Sequence, residues 1–172
     1  MAELNPRVYV ACLASYNAGT LHGKWIDANQ DVDDIRRDIE SMLESSPVTS
    51  YGEWAIHDHD GFHGISIGEH DTVETVAKHA ALLDEYGIAW AAYVDLVGEH
   101  YATEEGFTDQ YHGVAESETD FASELFGDIY NTEEIPEVFT MYFDYEKFAR
   151  DLFITDYRSI EKDGELYIFR ND

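Results

Sequence analysis

RVYVACLASYNAGTLHGKWIDA, residues 7–28, decides the fold. Two runs rich in β-branched and aromatic residues flank Asn17, Ala18 and Gly19, so the stretch reads as two strands joined by a turn. DVDDIRRDIESMLESSP follows. Val32, Ile35, Ile39 and Met42 fall on one helical stripe, acids sit at its N-terminal end and Pro47 follows its stop. Its charges pair at a spacing of four, Asp33 with Arg37 and Arg36 with Glu40. YGEWAIHDHDGF, residues 51–62, reads as a third strand. Hairpin, helix and strand predict an α+β unit.

Two more helices are predicted downstream. HDTVETVAKHAALLDEYG carries a capping-box pattern at Asp71 and Glu74 and a stop at Gly87. IAWAAYVDLVGEHY is apolar nearly all round, which marks a buried or interfacial helix. The last third predicts a strand in DQYHGVAES, a helix from Glu118 to Tyr130, a break at Ile135–Pro136, and a helix in FDYEKFARDLF. YRSIEKDGELYIFR then reads as a hairpin turning at Lys162–Asp163–Gly164. The expected architecture is α+β, with three small subdomains in an elongated chain: 1–66 with a sheet, 67–106 helical, and 107–172 with a second antiparallel sheet.

Charge is the leading feature of composition. The 172 residues hold 37 Asp and Glu against 10 Lys and Arg, a formal net charge of −27. Apolar residues make up 44% and aromatics 14%, enough for a packed core, so the acidity does not signal disorder. Such a surface repels nucleic acid and anionic membranes and attracts proteins with basic grooves. Cys12 is the lone cysteine, and the apolar run Val8–Ala14 reads as a strand and not a signal peptide, which together suggest a cytoplasmic protein. No apolar stretch approaches the ~20 residues of a membrane span.

The acids are unevenly spread. From His79 to Glu146 there are seventeen and not one Lys or Arg. In the helix from Glu118, Asp120, Glu124 and Asp128 form an i, i+4, i+8 row beside an apolar row of Phe121, Leu125 and Ile129. The later helix instead spaces Glu146 four before Arg150 and Lys147 four before Asp151. Like charges at i, i+4 cost roughly 0.2–0.5 kcal/mol per pair, so a recurring unpaired row implies that the field itself is useful. Two copies of the chain would carry the charge of about 90 Å of duplex DNA, at one charge per ~1.7 Å.

Other chemistries find little support. His57, His59, His63 and His70 lack a recognised zinc spacing, and Asp58–His59–Asp60–Gly61 lacks the alternating acids of a calcium loop. Cys12 with His22 across the hairpin is a conceivable nucleophile pair, but a lone Cys in an apolar strand is ordinarily inert core. There is no phosphate loop and no nucleophile elbow. No catalytic residue, metal or cofactor is expected. Two alternatives explain the acidity otherwise: an acidic adaptor or chaperone for another basic protein, and a halophilic host, although the clustered bases and abundant aromatics fit the latter poorly.

Three blocks, VYVACLASYNAGTLHGKWIDA (8–28), EWAIHDHDGF (53–62) and IPEVFTMYFDYEKFARDLF (135–153), resemble the ArdA antirestriction proteins. The resemblance runs from about Val8 to Phe169, though the histidines of AIHDHD are a departure to which no role attaches. It implies a non-enzymatic DNA mimic, often carried by mobile elements, that occupies the DNA groove of type I restriction–modification enzymes, methyltransferase core and full complex alike. It also implies a homodimer of three-subdomain chains. The phosphate-mimicking acids would then be Asp84, Glu85, Asp95, Glu99, Glu104, Glu105, Asp109, Glu116, Glu118, Asp120, Glu124, Asp128, Glu133, Glu134 and Glu137. The family's antirestriction motif corresponds to about Leu125–Glu137. Its apolar positions Leu125, Phe126, Ile129, Tyr130, Ile135 and Pro136 are candidates either for dimer contact or for subdomain core.

Overall fold

The structure, a computed structural model, describes residues 4–49 and 52–171. Tyr51, which opens the expected third strand, lies outside the described residues. The fold is α+β, with eight helices among the described residues and a three-stranded antiparallel sheet at each end of the chain. Two compact units divide it, Met1–Asp95 and Leu96–Asp172.

In the first unit, β1 (Arg7–Cys12) is the central strand between β2 (Gly23–Asp27) and β3 (Trp54–Asp60). Val8, Val10, Ala11 and Cys12 are buried accordingly. The expected simple turn is longer than the sequence suggested. It begins with a helical turn, α1 (Leu13–Asn17), closed by Gly19 at φ +82°. The Thr20 amide donates to Ser15 O and the Gly19 amide to Tyr16 O, a paired closure that needs a left-handed residue. Tyr9 lies over Gly23 and meets Trp25 edge-on at 5.6 Å, filling the space of the missing side chain. A register shift after Tyr9 leaves His57 with no residue opposite it on β1.

α2 (Val32–Glu44) buries Ile35, Ile39 and Met42. Its ion pairs differ from those expected. Arg36 pairs with Asp33 at 3.4 Å, Arg37 pairs with Asp34, and Arg36 also reaches Glu74 on α3. The i, i+3 partners and a carboxylate on the next helix displace the predicted i, i+4 ones, so Arg36 ties α2 to α3. Lys24 and Gln30 hydrogen-bond Asp38, and those bonds hold its carboxyl below the usual range.

α3 (Val73–Tyr86) starts one residue later than its acidic pattern implied. Thr72 is the cap, accepting from the Thr75 amide at 3.2 Å, while Asp71 accepts from the Gly68 amide at 2.7 Å. Gly87, at φ +64°, ends the helix as expected. α4 (Ile88–Val97) buries Ala89 to Val94. No helix among the described residues is long and apolar enough to cross a membrane.

In the second unit, α5 (Glu104–Gln110), which the sequence reading missed, is capped by Thr103 and leads into β4 (Tyr111–Ala115). β6 (Glu165–Arg170) is central between β4 and β5 (Tyr157–Lys162), with Tyr167, Ile168 and Phe169 buried. Asp163 and Gly164 form the two-residue turn at φ +52° and +85°, which suits the twist of the hairpin. α6 (Glu118–Ile129) packs on α8 (Tyr145–Thr155), and a short helix, α7 (Glu137–Met141), lies between them in the chain.

The Tyr167 hydroxyl donates to Glu165 at 2.9 Å; burial, then that carboxylate, pushes its pKa up.

Candidate functional site

The acids of residues 79–146 arise on successive helices, and those helices turn them outward because their other faces are committed to core. Asp84 and Glu85 stand near the end of α3, Asp95 on α4, Glu104, Glu105 and Asp109 on α5, and Glu116 just after β4. α6 carries Glu118, Asp120, Glu124 and Asp128. A 3-10 turn carries Glu133 and Glu134, and α7 opens with Glu137. Thirteen of these fifteen are exposed; Glu99 and Glu118 are partly covered. The Ser159 hydroxyl donates to Glu118 at 2.7 Å.

Local electrostatics explain part of the pattern. Glu104, Glu105, Glu118 and Asp120 lie in first helical turns, where an anion is favoured by roughly 0.3–1 kcal/mol. Ser117 caps α6 through the Asp120 amide at 3.0 Å. Asp128 sits in the last turn of the same helix, where the dipole disfavours it. The ion pairs at Arg7–Asp60, Lys24–Asp38, Arg36–Asp33, Arg36–Glu74 and Arg37–Asp34 all fall within residues 7–74. Among the described residues no ion pair engages Asp120, Glu124 or Asp128; Asp120 accepts from the Ser117 hydroxyl at 2.5 Å.

The structure adds two acids that the sequence reading left out. An open groove of about 1060 Å³ in the second unit has Glu116, Glu118, Asp120 and Glu124 on one side and Glu161 and Glu165 of the β5–β6 hairpin on the other. The signal was the hairpin register, which sets Lys162 opposite Glu165 and so places both acids beside the turn.

The apolar positions of residues 125–137 separate into two kinds. Phe126 is core, 8% exposed, with ring centroids 4.3 Å from Phe143, 4.8 Å from Tyr130 and 5.8 Å from Phe148. Leu125 and Ile135 are half-buried, while Ile129, Tyr130 and Pro136 are exposed. The buried row of α6 is Ala122 and Phe126, not Phe121, Leu125 and Ile129, because the Phe126 ring enters the aromatic nest around α8. Beyond this stretch, Val138, Phe139, Met141 and Tyr142 on and after α7 are 54%, 66%, 74% and 83% exposed.

Cys12 is buried with its sulfur 3.6 Å from Ser46 Oγ, and the His22 ring is turned to Met42 O at 2.7 Å. His57 meets Tyr16 and His59 meets Phe62 edge-on. Among the described residues no group of three or more His, Cys, Asp or Glu side chains is arranged to hold a metal ion.

A model of the family described as antirestriction protein (ArdA) matches residues 8–165, which include the whole acidic span and end at the first residue of β6. The chain belongs to the ArdA antirestriction family. A comparison with curated proteins returns no match. Family membership supports an antirestriction function and a partner among restriction–modification enzymes. ArdA is a family of antirestriction proteins and not a known enzyme family.

Proposed function

We propose that this ArdA-family chain inhibits type I restriction–modification enzymes by setting its carboxylates, in place of DNA phosphates, against the Lys and Arg of the enzyme's groove. The observation that carries this reading is the segregation of charge. Cations are spent in ion pairs within residues 7–74, while residues 79–146 display acids with no Lys or Arg among them. On α6 the acidic row repeats every ~6 Å at a helical rise of ~1.5 Å per residue, a spacing suited to a backbone that binds through charge and not base edges. Inhibition is therefore independent of the enzyme's recognition sequence.

The same reading takes the protein as a cytoplasmic homodimer, organised as 1–66, 67–106 and 107–172. The exposed apolar side chains of α7, continuous in sequence with Leu125–Pro136, supply the surface a second copy would cover. Displacement of a labelled duplex from a purified type I methyltransferase, titrated at two salt concentrations, tests the proposal. Stoichiometric displacement that weakens steeply with salt is expected. No displacement by the folded protein, or displacement that tracks one recognition sequence, refutes it.

A further inference from the structure

His79 is the one histidine of the described residues that the fold buries, 3% exposed on the inner face of α3. Opposite it on α4 is Trp90, fully buried. The Trp90 indole N–H donates to His79 Nδ1 at 3.2 Å. An Nδ1 that accepts carries no proton, so the ring is neutral with its hydrogen on Nε2. A proton arriving from solvent at Nδ1 would face the indole N–H donor to donor and would put a cation into an apolar layer.

The surroundings do not rescue that cation. Lys78, on the same helix, opposes it and lies 5.9 Å from the Trp90 ring; Asp71, in the turn before α3, favours it but is outweighed by burial, which lowers the pKa of His79. From α4 the neighbour is Tyr93, 5.8 Å from Trp90, and between α2 and α3 Glu74 is already held by Arg36.

We propose that His79 and Trp90 form an acid-sensitive latch, in which protonation of His79 breaks the α3–α4 hydrogen bond and loosens the helices that display Asp84, Glu85 and Asp95. Only the consequence for inhibition rests on the DNA-mimic reading; the latch stands apart from it. The sign follows from linkage. A histidine kept neutral in the folded state contributes stability above its ordinary value of 6.5, and that stability is lost as pH falls below it. One proton gives a change in the unfolding equilibrium approaching tenfold per pH unit.

The test is a pH titration of the full chain by NMR, following the His79 ring and the Trp90 indole N–H, with urea unfolding of wild type and His79→Gln in parallel. Gln keeps an acceptor for Trp90 but cannot titrate. Expected are a His79 that stays neutral below pH 6.5, an indole proton that loses protection as His79 charges, and a wild-type unfolding equilibrium that worsens with acid relative to His79→Gln. Carboxylate protonation acts on both chains alike and cancels in the comparison. A His79 that protonates at 6.5 with the indole proton still protected overturns the latch, as does a His79→Gln profile parallel to wild type. Should the variant not fold, the titration of the native chain decides alone.

Discussion

Neutralising Glu124 and Asp128 together, as Glu124→Gln/Asp128→Asn, should raise the stability of the folded chain while weakening inhibition. Glu124 stands between Asp120 and Asp128 at i±4 on α6, so the pair of changes removes both like-charge contacts of the row. Each contributes roughly 0.2–0.5 kcal/mol of destabilisation, about 0.4–1 kcal/mol for two. Asp128 also lies in the last turn, where the helix dipole adds roughly 0.3–1 kcal/mol against an anion. The gain is therefore about 0.7–2 kcal/mol at low salt, and no salt bridge or cap is lost in exchange. In 1 M salt the screening length of ~3 Å is shorter than the ~6 Å spacing, so most of the repulsive part should vanish. Urea unfolding at the two salt concentrations measures this. In duplex displacement the same variant should lose roughly 2- to 30-fold in affinity, at ~0.2–1 kcal/mol per exposed ionic contact. Its salt slope should flatten by up to ~1.8, at ~0.9 per contact. A variant less stable than wild type would refute the electrostatic account of α6. Undiminished displacement with an unchanged slope would remove this row from the enzyme contact.

Three further outcomes follow from the packing. Phe139→Ser should leave unfolding within about 0.5 kcal/mol of wild type, since the side chain is 66% exposed, but should shift sedimentation toward monomer; an unchanged dimer would move the interface away from α7. Phe126→Ala should cost about 3–5 kcal/mol in urea unfolding, because it empties the nest formed with Phe143, Tyr130 and Phe148. Gly23→Ala and Gly127→Ala should act oppositely. A Cβ at Gly23 would stand 2.5 Å from Val10 O and 2.9 Å from the Tyr9 ring, costing about 1–3 kcal/mol, whereas at Gly127 it meets nothing within 4 Å and should stabilise α6 by roughly 0.5–1 kcal/mol. Thermal melts of the two variants that shift in the same direction would contradict this.

Periodicity made most elements legible. α2, α3, α4, α6, α8 and five of the strands follow from apolar spacing and from Gly87 and Asp163–Gly164, where turn chemistry has few solutions. β2 was legible as well, but not what joins it to β1. Leu13–Asn17 is too short to show a helical period, and its closure by Gly19 depends on backbone bonds invisible in sequence. α5 escaped for a related reason: only Phe107 and Gln110 face inward, and Gly106 within it reads as a breaker. The cap of α3 was misplaced by one residue because Asp71 and Thr72 are both good caps, and only geometry shows that Asp71 is taken by Gly68.

The acidic surface was legible as an absence of bases, yet its arrangement was not, because sequence spacing cannot bring Glu161 and Glu165 to the groove beside α6. Nor could it tell core from surface within Leu125–Pro136. The choice at Phe126 is made by Phe143 and Phe148, residues well along the chain that surround one ring, while Tyr130 packs on that ring from its exposed side and Ile129 is left to solvent. That aromatic nest bears on function. A unit that carries repelling charge on α6 needs a compensating source of stability on the other face of the same helix. Phe126, Ala122 and their partners on α8 provide it through apolar and aromatic packing. Because the compensation is apolar, it leaves the charge of the row in place: the partners of Glu118 and Asp120 are the neutral hydroxyls of Ser159 and Ser117. Salt bridges on this exposed row would have added little, roughly 0–1 kcal/mol each, and would have cancelled the field that the acidic row presents to solvent.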